Sequence, residues 1–195
     1  MLHPPTSPAA AFPSVVDPYL APSKSLRNRA GRFLWAFAWN VLFRPSPRPF
    51  HAWRAFILRL FGAKLGANCR IYSGARIWAP WFLVCEDAVG IADGVVVYNA
   101  MPMRLGSHAI VSQGAFLCGS THDYDDPTFP MIDKPITIGA YAWVCARAIV
   151  APGVNVAEGA VLYMGSVATK DLEPWTVYAG MPARAIKTRA RHPQA

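Results

Sequence analysis

The sequence predicts an all-β protein built as a parallel β-helix of hexapeptide repeats, with a helical segment at its N-terminal end. The first observation is a six-residue spacing of aliphatic residues, which neither a helix nor an ordinary strand keeps over such a length. A hexapeptide repeat does keep it, with one aliphatic side chain per short strand pointing into a prism. The repeat runs in three blocks: Leu65, Ile71, Ile77, Leu83, Val89, Val95; then Leu105, Val111, Leu117; then Ile138, Val144, Val150, Val156, Leu162.

The second observation is that the repeat is interrupted twice. The spacing from Val95 to Leu105 is ten residues, and the spacing from Leu117 to Ile138 is twenty-one. About fifteen residues therefore leave the coil in the second interruption, and a loop of that length in a strict solenoid is usually functional. This excursion contains the His122–Asp123 pair.

Before the repeats, the chain divides into two segments. Residues 1–22 contain six prolines, which predicts a disordered lead-in without a core of its own. Residues 23–62 predict a helical cap made of two helices. The first helix is expected over Ser23–Phe43, and the second over about His51–Phe61, ending at Gly62. One side of the first helix carries Leu26, Phe33, Phe37 and Val41.

The aromatic residues of this cap have two compatible interpretations. They cover the open end of the solenoid, or Trp35, Trp39 and Phe43 enter a membrane interface together with the neighbouring arginines. The β-helix is expected over residues 63–182. Residues 183–195 form a basic tail, with a short C-terminal helix predicted over Ala183–Ala190.

Charge and cysteine content restrict the class of partner and the compartment. The net charge is +8, and residues 1–70 alone carry ten Lys or Arg against one acid. Because this excess is terminal rather than a stripe across the main domain, it argues against nucleic-acid binding. The start lacks the basic and apolar blocks of a signal peptide, and the longest apolar run is too short to span a bilayer. Four cysteines without C-x-x-C spacing favour reduced, packed thiols and a cytoplasmic protein. The basic N-terminal segment leaves open a location at the inner face of the membrane.

Several motifs occur in an order that resembles a known family. They are the excursion Ser120–Tyr124, the stretch Ile138–Val144 and the ending Gly180–Arg184, in addition to the hexapeptides themselves. Together they resemble the hexapeptide-repeat O-acetyltransferases, which include the maltose and galactoside acetyltransferases, and above all the branch associated with colanic acid and other exopolysaccharides. The resemblance implies a left-handed β-helix and a homotrimer with active sites between subunits.

Transfer of an acetyl group to a sugar hydroxyl needs a base that works near neutral pH, which favours histidine. His122 occupies the position of the family's catalytic base, and Asp123 or a backbone carbonyl is expected to orient it. The carbohydrate acceptor is predicted to contact Asn99, Asp123 and Tyr124. His108 lies within a regular repeat and is predicted to be structural.

The resemblance also implies acetyl-CoA as the co-substrate, with no metal. Cationic side chains near the C-terminus suit its phosphates. One departure from the family is the bulky pair Tyr163–Met164, where small residues are usual, beside the expected pantetheine groove. The residues assigned to coenzyme A by resemblance are Trp143, Ala146, Met164, Gly165, Thr169, Lys170, Arg184 and Lys187.

Other functions of the same architecture remain open at this point. A γ-type carbonic anhydrase would need three converging histidines, and only His108 and His122 lie in the solenoid. A non-catalytic structural solenoid would not need a loop histidine or a phosphate site. An acetyltransferase could also act on an amino sugar, a serine hydroxyl or a xenobiotic, because the fold does not determine the acceptor.

Overall fold

The computed structural model describes residues 25–191, so the disordered segment expected over residues 1–22 lies outside the described part. Two helices come first: α1 (Leu26–Ala38), which continues into a π-helical turn (Trp39–Phe43), and α2 (His51–Leu60). Within the described residues, no helix is long and apolar enough to cross a membrane. The remainder is almost entirely short parallel strands, which confirms the predicted β-helix with an N-terminal helical cap.

The strands stack into three sheets that form the faces of a prism. Sheet 1 contains β1 (Lys64–Leu65), β4 (Leu83–Cys85), β7 (Met103–Leu105), β12 (Ile136–Ile138) and β15 (Asn155–Val156). Sheet 2 contains β2 (Arg70–Ile71), β5 (Gly90–Ile91), β8 (Ile110–Val111), β13 (Trp143–Val144), β16 (Val161–Leu162), β18 (Thr176–Gly180) and β19 (Ala183–Thr188). Sheet 3 contains β3 (Arg76–Ile77), β6 (Val96–Tyr98), β9 (Phe116–Cys118), β14 (Ile149–Val150) and β17 (Val167–Ala168).

Each coil contributes one strand to each sheet, and the register stacks aliphatic side chains in columns. On sheet 3, for example, Ile77 pairs with Val97, Val97 with Leu117, and Leu117 with Val150. All four side chains are buried. Because every strand is only two or three residues long, stability comes from the stacking of coils rather than from any single strand.

In the second coil, the inward-facing strand positions are shifted by two residues from those that the six-residue spacing predicts. Its inward residues on the strands are Cys85, Ile91 and Val97, two positions after the predicted Leu83, Val89 and Val95. Both positions are buried in each repeat. In the neighbouring coils the earlier position is mostly filled by alanine, whereas the second coil has one leucine and two valines there. The six-residue spacing alone therefore could not distinguish the two columns.

Two tryptophans attach the first helix to the β-helix. Trp35 Nε1 donates to the carbonyl of Ile77 at 2.6 Å, and Trp39 Nε1 donates to the carbonyl of Ala75 at 2.9 Å. The π-helical turn also brings Phe43 inward, where it packs edge-on against Trp35 at 5.8 Å and is fully buried. The side of α1 that covers the solenoid is therefore set by Trp35, Ala38 and Phe43.

The apolar side that the sequence analysis identified on this helix points the other way. Leu26, Phe33, Phe37 and Val41 share one side of the helix, but all four are exposed, Leu26 and Phe33 by 79% and 75%. The indole N–H groups explain the orientation, because they find carbonyl partners only when the tryptophans face the first coil.

The C-terminal helix expected over Ala183–Ala190 is wrong. The segment forms β19, which pairs antiparallel with β18 in a hairpin. The free edge of β18 offers backbone donors and acceptors, whereas a helix this short has little stability of its own. The strand ends where Arg189 donates its backbone N–H to Trp175 and its guanidinium to the carbonyls of Tyr141 and Gly159.

Close stacking of the coils predicts a destabilising substitution at Gly139. A β-carbon there would lie 2.5 Å from the backbone nitrogen of Glu158 and 2.7 Å from the carbonyl carbon of Ala157. We expect Gly139→Ala to lower the free energy of unfolding by about 1–3 kcal/mol, measured by urea titration. Gly90→Ala is the matched control, because nothing lies within 4 Å of its β-carbon position. Equal effects of the two variants would contradict this account.

Candidate active site

The excursion after the third coil is a two-stranded hairpin. Its strands are β10 (Ser120–His122) and β11 (Met131–Asp133), which pair antiparallel. The hairpin is tied at its base, because Ser120 Oγ lies 2.6 Å from Asp133 Oδ1 and the N–H of Lys134 donates to the carbonyl of Gly119. It leaves the prism at the corner between sheet 3 and sheet 1, as a firmly anchored projection rather than a loose loop.

His122 lies at the end of β10 and is exposed. Its Nδ1 is 2.6 Å from the carbonyl oxygen of Phe129. Because a carbonyl oxygen can only accept a hydrogen bond, Nδ1 carries the proton in this contact. Nε2 is then the unprotonated nitrogen and can accept a proton from a bound hydroxyl. The contact thus fixes both the ring orientation and the tautomer that a general base requires.

The Phe129 carbonyl that contacts His122 belongs to a turn that is stabilised by side-chain hydrogen bonds. Asp126 Oδ1 accepts from the backbone N–H of Thr128 at 2.8 Å and from its hydroxyl at 2.7 Å. These two hydrogen bonds lower the pKa of the Asp126 carboxyl. Phe129 follows with a positive φ of 46°, and its N–H donates to the carbonyl of Asp126. Sequence reasoning did not predict this turn, although Asp126–Pro127–Thr128 is a typical turn signal.

The structure distinguishes between the two predicted partners of His122. Asp123 Oδ1 accepts the backbone N–H of Asp125 at 3.1 Å, so Asp123 belongs to its own turn, and the group that orients His122 is the Phe129 carbonyl.

The other two residues predicted to contact the acceptor lie in different environments. Tyr124 is 80% exposed on the same hairpin. Asn99 is fully buried instead, and its amide bonds both the N–H and the carbonyl of Ala79. That contact holds the chain at the corner below the hairpin.

Four of the residues assigned to coenzyme A lie at a different corner, between sheet 2 and sheet 3, and we call them the ledge: Trp143, Ala146, Met164 and Gly165. Trp143 is half-exposed, and its Nε1 donates to Ser112 Oγ at 2.8 Å. In the turns above it, the N–H of Gly165 donates to the carbonyl of Ala146 at 3.0 Å. Met164 is 60% exposed and stands out from the same ledge.

Arg184 continues this ledge towards the C-terminus. The N–H of Gly180 donates to Ser166 Oγ, which brings the β18–β19 hairpin over the turn at Met164–Gly165. Arg184 pairs with Ala179 on that hairpin and is exposed. Lys187 is also exposed but lies opposite Val177, farther along sheet 2. A cation at the end of an apolar groove suits a phosphate group.

Within one chain, the base and the ledge do not meet. Gln113 lies at the ledge corner and Ser120 at the hairpin corner, with β9 of sheet 3 between them. These seven residues of extended chain span roughly 20 Å, and this length separates the ledge corner from the hairpin corner. Thr169 and Lys170 follow β17 and are exposed at the far end of sheet 3, away from the ledge.

The remaining titratable residues do not form a second centre. His108 stacks on Tyr141 with ring centroids 4.9 Å apart and planes 8° apart, a structural contact as predicted. Burial raises the pKa of the Cys69, Cys85 and Cys145 thiols, so they remain protonated, poor nucleophiles. Over residues 25–191, no group of three His, Cys, Asp or Glu side chains could hold a metal ion.

Comparison with known proteins identifies the family. No protein-family model matches the chain. The acetyltransferase WcaF of Escherichia coli K12, named for colanic acid biosynthesis, is 36% identical over 156 residues, which cover 80% of this chain and 86% of that protein. The chain belongs to the hexapeptide-repeat O-acetyltransferases. This confirms the predicted family and enzyme class, and the resemblance to the colanic acid branch.

Solved structures agree at the level of the fold. A galactoside acetyltransferase in complex with coenzyme A matches with a TM-score of 0.77 at 20% identity, covering 84% of this chain and 83% of that chain. A hexapeptide-repeat acetyltransferase of Vibrio cholerae in complex with acetyl-CoA matches with a TM-score of 0.75 at 22% identity, covering 87% and 93%. Both likenesses confirm the predicted β-helix fold.

Proposed function

We propose that this protein transfers an acetyl group from acetyl-CoA to a hydroxyl of a sugar, in an exopolysaccharide or its precursor. The observation that carries the proposal is the contact between His122 Nδ1 and the Phe129 carbonyl, which leaves Nε2 free to act as a base. Nε2 takes the proton of the acceptor hydroxyl, and the sugar oxygen attacks the thioester carbonyl. The protonated imidazole then returns that proton to the departing thiolate of coenzyme A.

In this proposal the ledge binds the acetyl donor. The pantetheine arm lies along Trp143, Ala146, Met164 and Gly165, where backbone polar groups and apolar side chains alternate. Arg184 at the end of the ledge contacts a phosphate of the nucleotide, with Lys187 farther out on the same strand. Tyr163 and Met164 project outward, so they narrow the entrance to the groove without disturbing Leu162, which stays in the core.

We infer that the enzyme is a homotrimer with its active sites between subunits. The base and the ledge occupy different corners of one prism, so a neighbouring chain brings its hairpin to the ledge. The outer faces of the sheets support this arrangement. Sheet 1 presents polar residues such as Lys64, Arg104 and Asn155, whereas sheet 3 presents Val96, Phe116, Ile149 and Val167. Lys170, at the far end of sheet 3, would then meet the donor bound by the neighbouring chain.

The acceptor assignment rests on the hairpin and on the relative in colanic acid biosynthesis. Tyr124 and Asp123 flank His122 and offer an aromatic ring and a carboxylate, both common partners of sugars. Asn99 contributes indirectly, because it braces the corner from which the hairpin departs. We place the reaction in the cytoplasm, where acetyl-CoA is made and where the four unpaired thiols are compatible with a reducing environment.

Calorimetric titration with acetyl-CoA tests the donor site. We expect saturable binding near one site per chain, and an affinity roughly tenfold weaker for Arg184→Ala because a charge-assisted phosphate contact is lost. Arg104→Ala is the matched control, since this exposed arginine lies on the polar sheet 1. Absence of binding by the unmodified protein would refute the acetyltransferase mechanism proposed for this ledge.

Mixing two impaired variants tests the intersubunit site, at an acetyl-CoA concentration far below the dissociation constant, where Arg184→Ala keeps only about a tenth of the activity. If His122 and Arg184 of one site come from different chains, refolding His122→Ala together with Arg184→Ala restores about a quarter of the sites. Each variant refolded alone is the control. If both residues come from one chain, the mixture regains nothing, and the intersubunit arrangement is wrong. Light scattering should give about three times the chain mass of 21.3 kDa.

A further inference from the structure

The outward side of the first helix is an apolar surface that the acetyltransferase site does not use. Phe33, Phe37 and Val41 are 75%, 64% and 51% exposed, and Leu34 beside them is 59% exposed. The inward side of the same helix is fully engaged with the first coil through Trp35 and its neighbours. The helix therefore has one apolar side in the core and a second one facing outward.

This surface continues onto α2. Trp53 Nε1 donates to the carbonyl of Leu42 at 3.1 Å, which places the exposed face of α2 beside the end of the π-helical turn. Trp53 also contacts Phe56 at 5.9 Å between ring centroids, and Phe56 and Leu60 are exposed. A contiguous exposed apolar patch with several aromatic residues usually marks an interaction surface. We call this surface the cap patch: Phe33, Leu34, Phe37, Val41, Leu42, Trp53, Phe56 and Leu60.

Every charged residue in the helices that carry the cap patch and in the connection between them is positive. Residues 25–62 contain seven arginines and neither Asp nor Glu. Next to the patch, between α1 and sheet 3, lies a cavity of about 830 Å³. Its charged lining consists of Arg29, Arg32, Arg44 and Arg76. Over residues 25–191, none of these four guanidinium groups pairs with a carboxylate.

One of these arginines has an unused buried donor. Arg32 lies flat over Trp78, with its Cζ 4.3 Å from the ring centroid. Its Nε is buried and has no hydrogen-bond partner within the described residues. A buried donor normally finds an acceptor, and an anion in the cavity would supply one. Arg44 and Arg76, both stacked near Trp39, face the same space.

We propose that the helical cap docks this enzyme on an anionic lipid bilayer. The cap patch lies in the plane of the interface, with its aromatic and aliphatic side chains among the acyl chains and the arginines at the level of the headgroup phosphates. The arginine cavity takes one such phosphate-bearing headgroup. Charge complementarity decides the partner, because an apolar patch on helices whose charged residues are all arginine matches an anionic lipid surface.

The position of the cavity relates membrane docking to the proposed reaction. Tyr98 lines the cavity and pairs with Cys118, two residues before the hairpin that carries His122. The cavity therefore reaches the strand next to β9, which leads into the hairpin, and strands of neighbouring coils are roughly 5 Å apart. An acceptor held at a membrane surface would be brought to the hairpin. The docking itself does not depend on acetyl transfer and can be tested without it.

Sedimentation of the full chain with vesicles tests the proposal. We expect binding to phosphatidylcholine vesicles that contain about 30% phosphatidylglycerol, weakened by salt, and little binding to phosphatidylcholine alone. The double variant Phe33→Ser/Phe37→Ser should lose at least about tenfold in affinity. Arg29→Gln/Arg44→Gln should lose about fivefold per arginine.

Matched controls separate docking from folding. Ile186→Ser removes an apolar side chain that is 57% exposed far from the cap, and Arg104→Gln removes a charge on sheet 1. Both should bind vesicles like the unmodified protein, and circular dichroism should show all variants folded. Emission from Trp53 should shift to the blue on binding, because this half-exposed indole enters a less polar layer.

Three results would overturn the proposal. The first is equal binding to neutral and anionic vesicles, or none to either. The second is a change in oligomeric state of Phe33→Ser/Phe37→Ser without any vesicle binding by the parent, which would assign the cap patch to a second copy of the chain. The third is saturable binding of free pyrophosphate without vesicle binding, which would assign the cavity to a soluble phosphate ligand.

Discussion

Replacement of His122 by alanine should lower kcat about 100- to 10,000-fold, the usual contribution of a positioned general base. The expectation follows from the contact between His122 Nδ1 and the Phe129 carbonyl at 2.6 Å, which presents an unprotonated Nε2 to the acceptor. Because His122 acts on the acceptor hydroxyl and is not among the residues assigned to the pantetheine arm or the phosphates, the dissociation constant of acetyl-CoA should stay within about twofold. Steady-state kinetics with a sugar acceptor, combined with calorimetry of donor binding, measures both quantities.

A second histidine provides the control for this experiment. His108 has a positive φ of 61° and stacks on Tyr141, so His108→Asn keeps a residue that tolerates this backbone conformation. We expect its kcat to remain within about twofold of the parent, since the residue lies in a regular coil. If His122→Ala retained full kcat at saturating acceptor, the base would have to be another group, and the mechanism proposed above would be wrong.

Replacement of Arg54 by alanine should give the largest loss of stability, about 3–4 kcal/mol in the free energy of unfolding. Arg54 is fully buried in α2, and its guanidinium group donates to the carbonyls of Ile71, Pro47 and Arg48 at 2.6–2.9 Å. It thereby ties the proline-rich connection between the two helices to the first coil. Alanine would leave these three carbonyls without their guanidinium donors and open a cavity where the fully buried side chain lies. Urea titration followed by circular dichroism measures the loss.

Two further variants define the cause of that loss. Arg59→Ala removes an exposed arginine of the same helix that also bonds two carbonyls, those of Leu65 and Gly66, and should cost under about 1 kcal/mol. Arg54→Lys keeps the charge but not the planar fork of donors, so we expect an intermediate loss. If Arg54→Ala lowered the free energy of unfolding no more than Arg59→Ala does, the hydrogen bonds of Arg54 would not be a main contribution to stability.

The candidate site shows how far sequence reasoning reaches. The excursion, its histidine and the ledge residues could be placed along the chain because each either interrupts the hexapeptide spacing or belongs to a motif at a defined place in it. The group that orients His122 could not be identified, because it is a backbone carbonyl seven residues away whose position depends on the hairpin register and the Asp126 turn. The burial of Asn99 was equally inaccessible, since its partner Ala79 lies one coil earlier.

The helical cap shows a different limit. Periodicity correctly grouped Leu26, Phe33, Phe37 and Val41 on one side of a helix, but it could not tell which of two apolar sides faces the solenoid. That choice depends on hydrogen bonds from Trp35 and Trp39 to carbonyls about forty residues away. The phase of the second coil was ambiguous for a related reason, because both candidate columns are buried and only the strand register separates them.

The sequence by itself determined the β-helix, the excursion after Leu117, the helical cap and the family, because each coil of the repeat shows the same pattern of residues again. Only the tertiary structure decided which face of the cap is buried, that the C-terminal segment pairs as a strand, and that base and ledge occupy separate corners of the prism. These features depend on contacts between residues far apart in the chain. Such contacts follow from how coils stack and where strand edges stay open, which no local pattern of residues specifies.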